Sequence, residues 1–316
     1  MKTRSLTEGA MLGAITVLLA ILGEYIGVPS IIVPIPLMLL VYRQGFQYGV
    51  LAAIAAALIS SLVAGHVFSG LSIVIWGFVG VALGMALRER FSFTKLMLVG
   101  IASNLVVIGL NFFLYSLIIG GNVLGDMLAM FLEAIDQAIQ VSESMGVQGE
   151  ALQQYEALKT LMPILLRLGL PSLLLVYAVS MSYVNLAIGR AVLRRLGDSS
   201  MPWVEPFSRW RLPGYFGLIF VFGLLTSNLW QTPALPQWLQ FLSLNSFLIS
   251  FYAYAVAGIS LAWYYFQKKN VPMVFRVILV FMLFTMQFLL MALIFLAMID
   301  GVFDFRKLRV STEGEK

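Results

Sequence analysis

Apolar residues run in about nine long stretches along this chain, each separated from the next by a polar connection. They fall at about residues 7–26, 31–42, 45–65, 68–87, 95–119, 162–187, 214–232, 240–266 and 273–299. A helix that crosses a bilayer needs about 20 apolar residues, and most of these stretches reach that length. The pattern predicts an all-α, polytopic membrane protein. The second stretch is short and holds Pro34 and Pro36. It reads as tilted, broken or partly re-entrant, because proline removes a backbone donor that lipid cannot replace.

The longest polar insertion, 120–161, separates the fifth and sixth stretches. Within it Leu124, Met127, Leu128, Phe131, Ile135, Ala138 and Ile139 recur at helical spacing, while Asp126, Glu133 and Asp136 fall largely off that stripe. This predicts an amphipathic helix on the membrane surface, either a plain connection or a lid over a cavity. A second helical piece, 149–160, follows the break at Gly146. The connection 197–213 holds Pro202, Trp203, Pro206, Trp210 and Pro213, a composition suited to the headgroup layer. It divides a six-span bundle, 1–196, from a three-span region with a short tail, 214–316.

Charge gives the arrangement an orientation. Lys2 and Arg4, then Arg43, then Arg88, Arg90 and Lys95, then Arg190, Arg194, Arg195, Arg209 and Arg211, then Lys268 and Lys269 fall in alternate connections. That is the positive-inside pattern of a bacterial inner-membrane protein with a cytoplasmic N-terminus. Nine crossings would leave Arg306, Lys307 and Arg309 outside, against the rule. An eight-span arrangement with one late re-entrant segment is the alternative. The net charge of +5 is explained by these membrane ends, so no nucleic-acid partner is expected. The chain has no cysteine, one histidine, no GxxxxGK[ST] and no HExxH. No enzyme activity, metal or cofactor is expected, and ATP-driven coupling would need a separate ATPase. A cleavable signal peptide is not expected either: the first stretch is too long, and Glu24 stands where small residues would be needed.

In the third stretch Gly45, Gly49, Ala53, Ala57, Ser61 and Gly65 recur every four residues, beside a second row of Ala52, Ala56, Ser60 and Ala64. Small residues let helix backbones approach closely where lipid supplies no hydrophobic drive. Two readings stand: packing within one bundle, or a docking face for a partner membrane protein through Gly49, Ala53 and Ala57.

The segment from Pro34 to Gly45, PIPLMLLVYRQG, resembles a signature of the YybS-like bacterial membrane proteins, and the tail Asp300–Lys307, DGVFDFRK, is similar to that family's C-terminal end. The resemblance extends over essentially the whole chain. The first six stretches also resemble the six-helix S components of energy-coupling-factor transporters, which capture a small molecule near the outer face. In that family an AxxxA pair on the first helix docks a membrane coupling protein, and Ala10 and Ala14 match this spacing. The three further C-terminal stretches depart from the S-component pattern. A distant architectural similarity to MreD-like proteins keeps a scaffold role in view.

Polar residues inside spans are candidates for function, since burying them in hydrocarbon is costly. Glu24, His66 and Arg167 lie toward one membrane face, where Glu24 and Arg167 are expected to pair. Asn104, Asn111 and Tyr115 share one helical face, being offset by 7 and 11 residues. The substrate-binding candidates are therefore Glu24, Asn104, Asn111, Tyr115 and Arg167. The reading is a small-molecule binding or transport component in the lipid bilayer, with a separate membrane coupling protein and ATPase as partners. A non-transporting scaffold or assembly factor is the alternative.

Overall fold

Pro34 and Pro36 begin a helix rather than breaking one. In the computed structural model, which describes residues 3–26, 31–146, 149–226 and 235–306, they open α2, Pro34–Gln44. Prolines fit a first helical turn because the amides they lack would have no intrahelical partner there. At 11 residues α2 spans about 16 Å, roughly half a bilayer core. Every residue from Pro34 to Val41 is buried.

Among the described residues six helices are long and apolar enough to cross a membrane, and three shorter apolar helices accompany them. No strand is found among the described residues. The chain divides into two compact units, residues 1–127 with 174–204, and residues 128–173 with 205–316. The connection 197–213 falls partly in each unit, and so does the stretch 162–187.

The first unit is built around α2. Its neighbours are α1 (Thr3–Ile26), α3 (Phe46–Ala64) and α4 (Val67–Arg88). Their approach is set by glycines. A Cβ on Gly80 would lie 2.2 Å from the Pro34 carbonyl oxygen, and one on Gly84 would lie 2.6 Å from that of Met38. Gly77 meets Leu37, and Gly49 of α3 meets Val41. The α4 glycines at 77, 80 and 84 thus form one face against which the α2 backbone lies. The helix α5, Phe93–Ile119, packs on α4. Asn104 of α5 donates to the Gly100 carbonyl (2.9 Å) and to Ser182 Oγ (3.3 Å) of α8, Leu170–Arg195. At the far end of α8, Trp203 stacks edge-on against Phe93, and the Arg190 guanidinium lies 4.8 Å from the centre of the Trp203 ring.

The expected amphipathic helix is present as α6, Val123–Ser144, and the following piece as α7, Glu150–Ile164. Between α7 and α8 the chain widens into one π-turn, Leu165–Gly169. Pro171 supplies the local reason: it has no N–H, and its ring crowds the carbonyl four residues earlier. Asn245, on α10 (Gln237–Lys268), completes this turn. Its Nδ2 donates to the Leu168 carbonyl at 2.8 Å, and its Oδ1 accepts from the Ser172 N–H at 3.2 Å. A regular α-helix would pair those two backbone groups with each other, so the side-chain amide stands in for a main-chain bond.

In this second unit α10 also packs against α9, Phe216–Leu225, and α12, Gln287–Phe303. Gly223 brings α9 onto the Phe247 backbone, and Gly258 brings α10 onto Leu293. The last apolar stretch, 273–299, is not one crossing helix. It divides at Met286 (φ −111°, ψ 89°) into α11, Met273–Thr285, and α12. Near its start Arg276 lies 5.8 Å from the centre of the Trp263 ring, and beyond its end Arg306 donates to Ser260 Oγ at 3.0 Å. Trp263 and Ser260 are one helical turn apart, so the α11–α12 segment leaves α10 and returns to it. A continuous helix over 273–299 would end about 40 Å away.

Arg306 closes the return. All five of its N–H groups are used: two on Asp300 Oδ2 (3.0 and 2.8 Å), and three on the Ser208 carbonyl, the Trp210 carbonyl and Ser260 Oγ. Both side chains of the pair are 1% exposed. Arg306 therefore lies in the same layer as Arg209 and Arg211, which removes the conflict a ninth straight crossing created. Lys307 and Arg309 lie outside the described residues.

Three outcomes follow from this packing. Gly80→Ala should lower stability by about 1–3 kcal/mol, because its Cβ meets backbone and not a flexible side chain; the check is the unfolding temperature in detergent. Asn245→Leu should cost about 1–3 kcal/mol for each backbone group it leaves unmet, read in the same assay. Cysteines placed singly at Glu205 and Phe305, in a chain that has none, should react with an impermeant thiol reagent from the same side of the membrane. Labelling from opposite sides would restore a ninth crossing.

Candidate functional site

Two helical stripes with matched spacing face each other in the first unit. Phe68, Leu71, Ser72 and Ile75 lie on α4, and Asn111, Leu114, Tyr115 and Ile118 on α5. Each set follows the i, i+3, i+4, i+7 rule of one helix face. They enclose a cavity of about 280 Å³ near the start of α4 and the end of α5. Its walls are apolar except for three groups. Ser72 Oγ donates to its own helix at the Ser69 carbonyl, 2.7 Å away. Asn111 Nδ2 donates to the Val107 carbonyl at 2.8 Å, and no hydrogen bond among the described residues uses the Asn111 oxygen. The Tyr115 hydroxyl donates to Asp126 Oδ2 at 3.2 Å.

Asp126 reaches Tyr115 because the turn between α5 and α6 is tight. Gly120 takes the left-handed conformation that ends α5 (φ 73°), as glycine does without steric cost. Two residues later Asn122 Oδ1 accepts from the N–H groups of Leu124 and Gly125 and starts α6. The Asp126 carboxylate then lies beside Gly121 and the Tyr115 ring. The cavity thus offers an amide and a hydroxyl, with a carboxylate behind the hydroxyl and no basic residue in its lining.

The other expected site residues are distributed differently. Asn104 is 1% exposed, its Nδ2 donates to Gly100 of its own helix and to Ser182 of α8, and it is not in the lining of this cavity. Glu24 Oε2 lies 3.6 Å from His66 Nε2. His66 also caps α4, its Nδ1 accepting from the Ser69 N–H at 3.3 Å. A neutral imidazole with its proton on Nε2 satisfies both contacts. The expected Glu24–Arg167 pair is not among the ion pairs of the described residues. Arg167 belongs to the second unit, is exposed, and sits in the π-turn. An anion held by Arg167 together with Asn111 and Tyr115 therefore has no support in the lining of this cavity. Ser72 and Asp126 were not singled out from the sequence. The signal for Ser72 was available, since the 68, 71, 72, 75 stripe has the same period as the one on α5.

The small-residue ribbon of α3 also divides. Gly49 is covered by Val41 of α2, Ala53 stands beside Gly77, and the Ala57 carbonyl faces Gly70 of α4. These three positions meet this chain's own helices, as the packing reading expects. Ala10 and Ala14 are exposed, and with Gly9 and Gly13 of α1 and Ala52, Ala55 and Ala56 of α3 they line an apolar groove of about 600 Å³ between α1 and α3. Among the described residues no group of His, Asp and Glu side chains is arranged to hold a metal ion.

The family model described as "Predicted membrane protein (DUF2232)" matches residues 14–301. A protein of Bacillus subtilis (strain 168), described as "Uncharacterized protein YybS", is 24% identical over 313 residues, which covers 96% of this chain and 98% of that protein. No solved structure matches the chain. With the family match covering α2, both sides of the α4–α5 cavity and most of α11–α12, the chain belongs to the DUF2232 family of membrane proteins.

Proposed function

We propose that this protein is the small-molecule-binding component of a membrane transport assembly, seated in the bacterial inner membrane with its N-terminus in the cytoplasm. The observation that carries the reading is the α4–α5 cavity. Its 280 Å³ lie near the lower end of the range for ligand sites, and it combines apolar walls with a few polar groups, as such sites do. The charge pattern puts its mouth toward the outer face. The Asn111 oxygen and the Asp126 carboxylate, which already accepts from Tyr115, favour a neutral or cationic ligand that donates hydrogen bonds. The Tyr115 ring would lie along its apolar part. With no phosphate-binding loop in the sequence, ATP-driven movement would come from a separate ATPase through a membrane coupling protein. That division of labour is the one the S-component resemblance implies.

The α1–α3 groove favours a second reading, a scaffold or assembly factor that holds a partner at Ala10 and Ala14 and carries no ligand. One set of variants separates the two. In the binding reading, mass spectrometry of the purified protein identifies a retained small molecule. Leu114→Trp then fills the cavity and abolishes retention, and Asn111→Ala weakens binding about tenfold, the loss of roughly one hydrogen bond. Ala14→Trp leaves the ligand in place. If no small molecule accompanies the wild-type protein and only Ala14→Trp changes what co-purifies, the scaffold reading stands instead.

A further inference from the structure

At the opposite end of the first unit a hollow is lined by arginine. It measures about 760 Å³ and lies between the end of α2, the turn from α4 into α5, and the segment after α8. Arg43, Arg88 and Arg90 contribute to its wall, with Ser92, Asp198 and Ser200. Apolar helices end on every side of it, so it sits where a membrane core gives way to the headgroup layer.

The charges around it do not cancel. Arg43 is matched, with Glu8 Oε1 at 2.6 Å. Arg88 gives one N–H to the Tyr42 carbonyl at 3.3 Å and meets no carboxylate within ion-pair distance among the described residues. Arg90 makes no ion pair and no side-chain hydrogen bond among them. Asp198 is the opposing charge, and its oxygens are engaged. Oδ1 accepts from the Ser200 hydroxyl (2.7 Å) and N–H (2.9 Å), and Oδ2 accepts from the Tyr42 hydroxyl (2.7 Å). These bonds, those from Ser200 foremost, hold its carboxyl below the ordinary carboxylate range. Glu89 lines an adjacent hollow with Arg88. Lys95, above the Phe91 ring, and Arg190, above Trp203, add positive charge nearby.

Helix C-termini and the positive-inside rule account for Arg43 and Arg88. They do not account for the backbone at Arg90. Its N–H bonds the Leu87 carbonyl, the Phe91 N–H bonds that of Ala86, and its φ is +57°. This is the left-handed position after a helix, where glycine or asparagine is usual. The other two non-glycine residues with positive φ among those described are Asn270 and Asp304, side chains that tolerate it. An arginine keeps this position against the backbone's preference, with its guanidinium on the hollow.

We propose that this hollow binds a phosphate-bearing anion, through the guanidinium groups of Arg88 and Arg90 with the hydroxyl of Ser92. Planar guanidinium donors match phosphate oxygens in pairs. The depth of the hollow suits the phosphate of an anionic lipid headgroup, and a soluble phosphate in the adjoining aqueous phase presents the same chemistry. Neither requires the α4–α5 cavity to be occupied.

Arg90→Gly tests this directly, because glycine relieves the backbone while removing the charge. The full chain is purified with phosphatidylglycerol and phosphatidylcholine in equal amounts, and the retained lipid is measured by native mass spectrometry. Wild type should retain phosphatidylglycerol selectively. Arg90→Gly should lower that retention about tenfold, the loss of one charge-assisted hydrogen bond, at an unfolding temperature equal to or above wild type. Arg90→Lys, which keeps the charge without the paired donors, should retain no more than wild type and no less than Arg90→Gly, and Arg88→Gln should lower it too. Displacement of the lipid by inorganic phosphate, or a thermal shift with inorganic phosphate alone, identifies a soluble phosphate as the source. Retention that inorganic phosphate does not disturb identifies the lipid. Equal phosphatidylglycerol retention by wild type, Arg90→Gly and Arg88→Gln, with no response to inorganic phosphate, overturns the proposal.

Discussion

The first unit depends on one constraint: a helix too short to cross a membrane has to be enclosed by others. Lipid cannot hydrogen-bond the free backbone groups at the ends of α2, so protein must surround it. Close enclosure is possible only where neighbouring helices lack side chains. Gly77, Gly80 and Gly84 on α4 and Gly49 on α3 meet that requirement, and Val41, Leu37 and Met38 fill the space they leave. The positions of α1, α3 and α4 around α2 follow from it. So do the cavities, which open where α4 turns its other residues toward α5 and where α2 ends beside the α4–α5 turn.

Polar side chains inside the apolar units serve backbone first. Asn245 bridges the Leu168 and Ser172 groups, Ser260 accepts from Arg306 while donating to the Phe207 and Trp210 carbonyls, and Asn104 ties α5 to α8. Such a bond adds only about 0.6 kcal/mol on average in membrane helices, yet an unmet buried group costs more. The Arg306–Asp300 pair follows the same logic. Two charges are taken out of water, and the arginine's donors are satisfied by carboxylate, carbonyl and hydroxyl together. Removing one partner would leave the other buried alone.

Against that background Asn111 is distinct. It gives an N–H to its own helix and lines a void, where Asn104, seven residues earlier on the same face, is buried and bonded to Ser182. The difference is set by the neighbour: α8 covers Asn104 through Ser182, and the facing stripe of α4 stands off from Asn111. Tyr115 continues the open face and is held by Asp126 from the turn above. The polar stripe of α5 is thus packed at one end and open at the other.

Hydropathy, helical period and the alternation of basic residues were enough to read an all-helical membrane protein, the amphipathic α6 and most of the apolar helices, because these signals are local and each residue carries its own part of them. The same local logic left α2 and the last stretch with more than one reading. Proline reads as a break unless one knows that it stands in a first turn, and 27 apolar residues read as one crossing unless Arg306 is known to return to Ser260. Glu24 and Arg167 looked complementary by depth alone. Depth does not fix which helices are neighbours; within the first unit Glu24 lies beside His66. Which alanines of α3 are covered, which asparagine faces a void, and which arginines share a hollow were decided by tertiary packing, because each depends on residues far away in the chain that no periodicity encodes.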